Sequence, residues 1–559
     1  MTARLMVALL LVSVSCASRP ASSVATRPAQ ITISVVGTSD VHGRVVPAGT
    51  RGGLAVFGGY LRNLRAARSA DGGAVVVVDA GDMFQGTLES NLNEGAAVVD
   101  AYNALGYTAA AIGNHEFDFG PVGEAATPRS PADDARGAIK ARAAQATYPL
   151  LAANVIDTAT GRPVAWRNVR PSTIVEAAGI KVGIIGVTST STLATTIALN
   201  TRGLSIAPLA PAIAAEARRL RAGGAAVVIV TAHAGGRCTM FGLPEDATSC
   251  DPAQEIMEVA RQLPAGAVDV IVGGHTHQRV AHDVAGIAIV QSGANGVAFG
   301  RVDLVVNRAD GTLSARRIFA PQEITGDAAY EGQPVLPDAR VAAAVAPAIA
   351  AAEALKRRSL GVVLETPFPL NARRESALGN LLTDALRESV PGADVALVNG
   401  GGIRAELPAG DLSYGRLFEA SPFENRLVTV VLTGEQLTRV VTHDLTRPEA
   451  LITSLSGVRV AAQCDAGMLR VRLTRASGAP VQDTERLRVI ATDFLAAGGD
   501  GILPPAGPPV AVEEIDLLMR DAAAAWLERH GGRLNASTFL PADAPRWNYP
   551  GERPVRCAP

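Results

Sequence analysis

The apolar residues of this chain recur in short runs that alternate with longer amphipathic segments, from Ile31 to about Arg317. Runs such as ITISVVG, AVVVVDAGD and TAAAIGN are typical of buried strands, and the intervening AVFGGYLRNLRAAR is typical of a helix. A second passage of the same kind extends from KVGIIGVTS to AVDVIVGGH. This rhythm predicts βαβ units in a layered α/β domain.

The pattern changes after this domain. Residues 341–360 are mostly alanine and leucine and predict a helical connector, despite Pro347. The chain then restarts with ESALGNLLTDALRES, which predicts a helix, and ADVALVNGGGIR, which predicts a strand that meets a glycine-rich turn. The predicted division is a signal and linker at 1–28, a first domain at 29–325, a connector at 326–360, a smaller α/β domain at 361–548 and a tail at 549–559.

Composition narrows the class of protein. A chain of 559 residues is too long to fold around one hydrophobic core. Its content of 48% hydrophobic and 19% charged residues is typical of a folded protein. The formal net charge of -2 gives no broad positive surface for nucleic acid. We therefore expect no nucleic-acid partner. The expected partner is a small molecule, and the protein is expected to be a monomer.

The first residues resemble a targeting segment. Arg4 precedes an apolar stretch at 5–14, which is long enough for a secretory signal and too short for a membrane span. Cys16 stands where a bacterial lipoprotein is acylated; Ser15 before it fits that signal, whereas Ser13 stands where leucine is usual. Cleavage a few residues later is the alternative. We expect export to the periplasm or cell envelope, with membrane contact only through a lipid on Cys16.

The cysteines agree with export. The chain has five, and setting Cys16 aside leaves Cys238, Cys250, Cys464 and Cys557, which can pair completely in an oxidising compartment. Four cysteines allow three connectivities. Pairing Cys238 with Cys250 and Cys464 with Cys557 is the most economical of them.

Polar side chains follow the apolar runs where each predicted strand ends. In AAIGNHEFDFG, residues 110–120, four polar side chains stand within five positions, which a packed core would not accommodate. Because the carboxyl ends of parallel strands meet at one edge of a sheet, where ligands bind, we expect such residues to lie together. The candidates at five strand ends are Asp40, His42, Asp82, Asn114, His233, His275 and His277.

This set of side chains suits metal ions. Burying Asp40 and Asp82 unpaired beside apolar strands would cost several kcal/mol, which cations would offset. Imidazole and carboxylate ligands without thiolates suit zinc, manganese, iron or cobalt. Seven candidates exceed one site and serve two divalent ions if Asp82 bridges them. Two ions about 3.5 to 4 Å apart clamp the attacking and leaving oxygens of a displacement at phosphorus.

The same strings resemble a known signature. In order, D-V-H (40–42), G-D (81–82), G-N-H-E-F-D (113–118), A-H (232–233) and G-H-T-H (274–277) are similar to the motifs of the 5'-nucleotidase family of metallophosphoesterases, of the bacterial UDP-sugar hydrolase type. The resemblance implies a layered calcineurin-like metallophosphoesterase domain followed by a smaller α/β 5'-nucleotidase C-terminal domain.

The resemblance also implies roles for these residues. One ion would be held by Asp40, His42, Asp82 and His277, and the other by Asp82, Asn114, His233 and His275. His115 and Asp118 match the catalytic dyad, in which the histidine stabilises charge on the phosphoryl group and the aspartate orients it. Glu116 would support the metal ligands from behind them.

Three strings in the second half match the family's substrate motifs. The first, NGGGIR (399–404), lacks the Lys-Ser/Thr of a P-loop. The other two are SPFEN and DFLAAGGDG, whose phenylalanines lie close to the proline and glycines of these motifs. By resemblance, Asn399 and Arg404 approach the substrate phosphate, Phe423 and Phe494 sandwich a base, and Asp500 accepts hydrogen bonds from ribose hydroxyls.

One position departs from the family pattern. Many members have an arginine three positions before the glutamate of ESALGN, where this chain has Ala372. Arg374 is the candidate substitute for that phosphate contact.

The expected function is hydrolysis of nucleoside 5'-monophosphates to nucleoside and phosphate, with nucleotide sugars open as further substrates. The nearest alternative is a 2',3'-cyclic nucleotide phosphodiesterase or 3'-nucleotidase. A sulfur-oxidation hydrolase is a more distant one, because a small sulfur substrate needs no base clamp. A surface protein that binds nucleosides without turnover is the alternative from another class.

Overall fold

The computed structural model describes residues 29–123, 125–371, 374–423, 425–447, 452–496, 498–503 and 512–558. The predicted signal segment and Cys16 lie outside these ranges. Within them, none of the helices combines the length and the apolar character that crossing a membrane requires.

The first half of the chain is built on two sheets packed face to face. In spatial order, the first sheet contains strands Leu313–Glu323, Ala298–Asn307, Gln30–Thr38, Ala74–Asp79, Ala109–Ala111, Leu150–Leu151 and Val169–Arg170. The second contains Arg279–Val284, Ile287–Ser292, Val270–Gly273, Val227–His233, Ile180–Thr188 and Ser172–Ala177. Their inner faces share one apolar core, which includes Val35, Val78, Ile184 and Ile229. The strands read as continuous apolar runs because both faces of each sheet are buried.

Helices cover the outer face of each sheet. Helices Leu54–Ala70, Ala96–Leu105 and Gly137–Gln145 pack on the first sheet. Helices Leu209–Ala222 and Glu255–Gln262 pack on the second. The result is a four-layer sandwich, which confirms the predicted layered α/β class. Shorter elements of this half are Leu88–Asn91, His115–Phe117, Val155–Asp157, Arg162–Pro163, Thr192–Ala194, Ala198–Thr201, Leu204–Ile206, Ala247–Ser249, Ala329–Tyr330 and Gln333–Pro334.

A long helix, Ala339–Lys356, follows the sandwich. It begins at Asp338, whose side chain accepts a hydrogen bond from the Arg340 amide. The helix ends earlier than the predicted 341–360, because Ser359–Leu364 instead pairs as a strand with Gly410–Ser413 and Gly532–Leu534. Pairing with distant segments cannot be read from local helix propensity.

The second half forms a smaller α/β unit. Its five-stranded sheet has the order Ser454–Ser456, Val395–Val398, Arg486–Thr492, Arg426–Thr433 and Val512–Leu518. Helices Ala377–Ser389 and Met519–His530 contribute to one core, and helix Gly434–Thr446 contributes to another with this sheet. A further sheet joins Met468–Arg475, Val458–Asp465 and Trp547–Asn548. Shorter elements are Gly400–Gly402, Tyr414–Ala420, Asp493–Ala496, Gly499–Gly501 and Ala536–Phe539.

Two disulfides close loops of very different length. Cys238 bonds Cys250 across 12 positions, and Cys464 bonds Cys557 across 93 positions. This confirms the pairing that the sequence favoured. Disulfides persist in oxidising compartments, so they indicate an extracytoplasmic protein.

Removing either disulfide should lower the free energy of unfolding by about 2 to 4 kcal/mol, since each constrains the unfolded chain. The double variant Cys464→Ser/Cys557→Ser should lose more than Cys238→Ser/Cys250→Ser, because its loop is longer. Urea unfolding of both double variants and the parent protein would measure this. Thiol alkylation and intact mass of the exported protein provide the control, and four free thiols would contradict both bridges.

Candidate active site

The predicted polar residues follow strands that run parallel within each of the two sheets. Asp40, Asp82 and Asn114 come just after neighbouring parallel strands of the first sheet. His233 ends a strand of the second sheet, and His275 follows the strand beside it. The two sheets pack face to face, so the site is built from the carboxyl edges of both.

The loops after these strands have an unusual backbone. Five of the seven metal-ligand candidates have positive φ angles, and they are Asp40, His42, Asp82, His275 and His277. Aspartate and histidine tolerate this left-handed region better than most residues, but it still strains the backbone. Two of the loops are joined by backbone hydrogen bonds, from the Asp40 amide to the Gly81 carbonyl at 2.9 Å and from the His42 amide to the Asp82 carbonyl at 3.0 Å.

Close approach of the loops explains the glycine of the G-N-H string. A Cβ at Gly113 would lie 2.2 Å from Asp82 Oδ1 and 2.9 Å from His233 Nδ1. No side chain fits there without displacing a ligand candidate. The absence of a side chain at Gly113 therefore lets the first and second sheets bring their ligands together.

Asp40, His42 and His277 form the first group of ligand atoms, all within 4.8 Å of one another. His42 Nδ1 lies 3.0 Å from the Gln85 carbonyl, so this nitrogen donates and Nε2 keeps its lone pair. His42 Nε2 is 3.0 Å from His277 Nε2. Asp40 Oδ1 accepts from the His275 amide at 2.9 Å, while its buried Oδ2 has no hydrogen-bond partner within the described ranges.

Asp82, His233 and His275 form the second group within the same distance limit. His233 Nδ1 donates to the Ala80 carbonyl at 2.9 Å, which leaves Nε2 3.2 Å from Asp82 Oδ2. Asn114 completes this group. Its Oδ1 lies 2.9 Å from His233 Nε2 and 3.1 Å from His275 Nδ1. Asp82 also belongs to a third group with His42 and His115, so it stands between the first two.

The protonation of these groups reflects burial and their mutual charge. Burial raises the pKa of Asp40 to about 7 and lowers the pKa of His42 to about 3 and of His275 to about 4. Burial would lower the pKa of His233, but Asp82 outweighs it and raises that pKa to about 10. Burial would likewise raise the pKa of Asp82, yet nearby histidines, chiefly His233, hold it well below its usual range.

These observations fit divalent cations. The neutral imidazoles of His42 and His275 offer lone pairs beside carboxylate oxygens, and within the described ranges the buried Asp40 Oδ2 atom has no donor. Burying such acceptors together is costly unless a cation lies among them. The two groups, with Asp82 between them, match the donor sets that imidazole-binding and carboxylate-binding metals prefer.

His115 and Asp118 lie beside this cluster as an ion pair. His115 Nδ1 is 2.5 Å from Asp118 Oδ2, and the Thr196 hydroxyl donates to Asp118 Oδ1 at 2.9 Å. Burial would lower the pKa of His115, but Asp118 and then Asp82 outweigh it and raise the pKa to about 9. In its protonated form, which the Asp118 carboxylate favours, His115 can stabilise negative charge nearby.

Glu116 has a different place from its neighbours. Its carboxylate accepts hydrogen bonds from the backbone amides of Asp82 at 2.8 Å, Gly113 at 2.7 Å and Met83 at 2.7 Å. It is buried behind the ligand loops. Glu116 therefore fixes the backbone that carries Asp82 and Asn114, as a support behind the ligands.

One cavity of about 380 Å³ contains residues from both halves of the chain. From the first half, Asp82, Asn114, His115, Asp118, His275 and His277 line it. From the second half, Asn399, Arg404, Phe423, Asn425, Phe494 and Asp500 line it. The structure thus brings most of the predicted site residues to one space between the two halves.

The second-half residues are held in defined positions. Asn399 Nδ2 donates to Asp500 Oδ2 at 2.6 Å, and the Arg404 guanidinium lies 5.3 Å from the Phe423 ring centroid. The Phe423 ring is 6.1 Å from the His115 ring at 25°. A Cβ at residue 499 would lie 2.4 Å from the Phe494 ring. The ring can occupy this position because residue 499 is glycine.

Arg374 is not brought to the cavity. Its side chain is 70% exposed and its Nη2 lies 3.5 Å from Glu552 Oε1. Ala372, at the position of the family arginine, lies outside the described residues.

Sequence reasoning missed the segment STSTLATT (189–196). Ser191 Oγ lies 3.0 Å from His275 Nε2, and the Thr195 carbonyl accepts from Asn114 Nδ2 at 3.1 Å. Thr196 bonds Asp118, as noted above. Only the position of this segment in the chain could have identified it. The segment follows the strand Ile180–Thr188, which runs parallel to the strand Val227–His233 that ends in a ligand candidate.

The packed sheets and the cluster of histidines and carboxylates at their carboxyl edges define a metallophosphoesterase. Residues 33–279 match the calcineurin-like phosphoesterase family, and residues 359–505 match the 5'-nucleotidase C-terminal domain. The chain therefore belongs to the 5'-nucleotidase family of metallophosphoesterases.

Individual proteins are similar over most of the chain. The cell wall protein Lmo0130 of Listeria monocytogenes is 27% identical, over 84% of this chain but only 64% of its own length. The protein UshA of Yersinia enterocolitica is 26% identical over 91% of this chain and 93% of its own length. A solved 5'-nucleotidase precursor from Thermus thermophilus shares the fold, with a TM-score of 0.69, 24% identity, and coverage of 93% of this chain and 100% of its own.

Asp82→Asn should lower metal binding to both groups of ligand atoms, because a carboxylate between them contributes to each. The exposed Asp100→Asn provides a matched control that should keep the parent metal content. Elemental analysis of both proteins after saturation and desalting would measure ions per chain. Two ions per chain in Asp82→Asn would show that Asp82 does not bridge.

Proposed function

We propose that the protein hydrolyses nucleoside 5'-monophosphates to nucleoside and phosphate with two divalent ions, of zinc, manganese, cobalt or iron. The observation that carries this is the single cavity in which the metal-ligand cluster and the His115–Asp118 pair face Phe423 and Phe494. A phosphate at the cluster and a base between the rings would occupy that space together. A similar protein of Vibrio cholerae, 24% identical over 84% of this chain, bears the name 5'-nucleotidase, which supports the same substrate class.

The chain's own residues would bind and orient the nucleotide. Divalent ions, when bound in such a site, neutralise phosphate charge and activate water. His115, held in its charged form by Asp118, would stabilise charge that develops on the phosphoryl oxygens. Arg404 brings a second positive charge into the cavity beside the Phe423 ring.

The far end of the cavity would recognise the nucleoside. Phe423 and Phe494 offer two aromatic faces to a base. Asp500 is held by Asn399 through one carboxylate oxygen, and its carboxylate would accept hydrogen bonds from ribose hydroxyls. The Asn399 side-chain amide donates to Asp500 in this structure. The contact between Asn399 and the substrate phosphate therefore stays a prediction.

A second cavity favours nucleotide sugars as further substrates. It has a volume of about 640 Å³ and shares His277, Arg404 and Phe423 with the first. Arg44 and Glu419 add polar groups to its wall. A sugar attached to the far side of the metal-bound phosphate would extend into this space, where polar side chains suit its hydroxyls.

We also propose that the protein is an exported monomer that is attached to a membrane through a lipid on Cys16. The two disulfides support the export.

Metal removal and replacement provide the direct test. The chelated protein should release no phosphate from AMP, and each of the four metals should be added back with AMP, 3'-AMP, 2',3'-cyclic AMP and UDP-glucose. We expect AMP and UDP-glucose to be hydrolysed only with metal. Faster hydrolysis of the 3' or cyclic nucleotides would favour the alternative phosphodiesterase. Nucleoside binding without any phosphate release would favour the binding protein.

Phe423→Ala or Phe494→Ala should reduce kcat/KM for AMP about five- to 150-fold, because stacking is worth roughly 1 to 3 kcal/mol per base. Hydrolysis of ribose 5-phosphate, which has no base, should fall far less. The half-buried Phe319, which packs between Arg301 and Arg317 outside the cavity, offers the control variant Phe319→Ala. Equal loss for both substrates would assign the two phenylalanines to the core rather than to a base clamp.

A further inference from the structure

The loop that carries Phe423 is held through three consecutive backbone carbonyls. Arg520 Nη1, from the second half of the chain, donates to the carbonyls of Ser421 at 3.2 Å and Phe423 at 3.4 Å. The carbonyl between them, of Pro422, accepts instead from the first half. Gln85 Nε2 donates to it at 3.2 Å, and Asn91 Nδ2 donates at 3.4 Å.

Gln85 also contacts the metal cluster through its main chain. Its carbonyl is the partner of His42 Nδ1 at 3.0 Å, which leaves the other nitrogen of that ring for a metal. The Gln85 side chain is buried, with 2% of its surface exposed. One residue therefore joins a metal-ligand candidate, through its backbone, to the Phe423 loop, through its amide.

The two sets of contacts differ in what they depend on. Arg520 and the Phe423 loop belong to the same half of the chain, so their hydrogen bonds are internal to that half. The Gln85 hydrogen bond joins the first half to the second, so it depends on how the two halves meet. Gln85 thus links the two halves of the chain at the point where the base would be held.

We propose that Gln85 is a positioning residue for base recognition, and that its amide, by joining the two halves of the chain, sets the Phe423 ring relative to the metal centre. This inference rests on the proposed nucleotidase function. The Phe423 ring stands 6.1 Å from His115 in this arrangement. A nucleotide must span both groups, so a small displacement of the loop would affect substrates with a base more than substrates without one.

Substituting the side chain separates the two contacts, because every residue at position 85 retains the backbone carbonyl that His42 needs. Gln85→Met keeps the length and loses the donor, and Gln85→Glu places a carboxylate against the Pro422 carbonyl. The ratio of kcat/KM for AMP to that for ribose 5-phosphate should fall about two- to tenfold in Gln85→Met, the effect of one neutral hydrogen bond. The fall should be larger in Gln85→Glu and should come mainly from KM for AMP.

Gln145→Met provides the matched control. Its amide bonds Asp100 and the Ala96 carbonyl on an outer helix, so loss of those bonds should leave the ratio unchanged. Metal content of all three variants should equal that of the parent protein. An unchanged ratio in both Gln85 variants would overturn the proposal, and so would an equal loss for both substrates accompanied by loss of metal. Failure of the parent protein to hydrolyse AMP with any metal would instead refute the nucleotidase function.

Discussion

The burial of carboxylates at the edges of two sheets is the constraint on which the rest of the site depends. Asp40, Asp82 and Glu116 are each at most 2% exposed and lie close together. Such acceptors would repel one another in an apolar interior. Backbone amides offset part of this cost, since Glu116 accepts three and Asp82 and Asp40 accept one each. The remainder requires cations, whose place is marked by the histidine nitrogens.

This constraint accounts for local features that would otherwise be unfavourable. Positive φ angles turn the side chains at the strand ends toward a common point, at a cost that a stabilising ligand would offset. Gly113 gives up side-chain packing so that Asp82 and His233 can approach. Folding of the sandwich and assembly of the metal cluster are therefore energetically linked.

The sequence predicted the strands and helices that have a clear hydrophobic period or that end in residues able to bind a metal ion. Strands that end in Asp, Asn or His were identified, and the structure places those residues at the adjoining carboxyl edges of two sheets. The sequence could not predict that two facing sheets supply these residues, because successive βαβ units have the same hydrophobic pattern whichever sheet they join. Ser191 and Thr196 carry no distinctive side-chain chemistry and depend on the fold for their contacts. The early end of helix Ala339–Lys356 depends on strand partners about 50 and 170 residues away.

That helix also determines how the chain can be divided. Val341 and Val345 are buried in the core of the first half, whereas Ala352, two turns later, is buried in a core of the second. The helix is thus shared between two interiors along its length. Cutting the chain before the helix would uncover an apolar surface on the first half, and cutting after it would uncover one on the second. The two halves are separate in topology, but because they share this helix they are one unit for expression and folding.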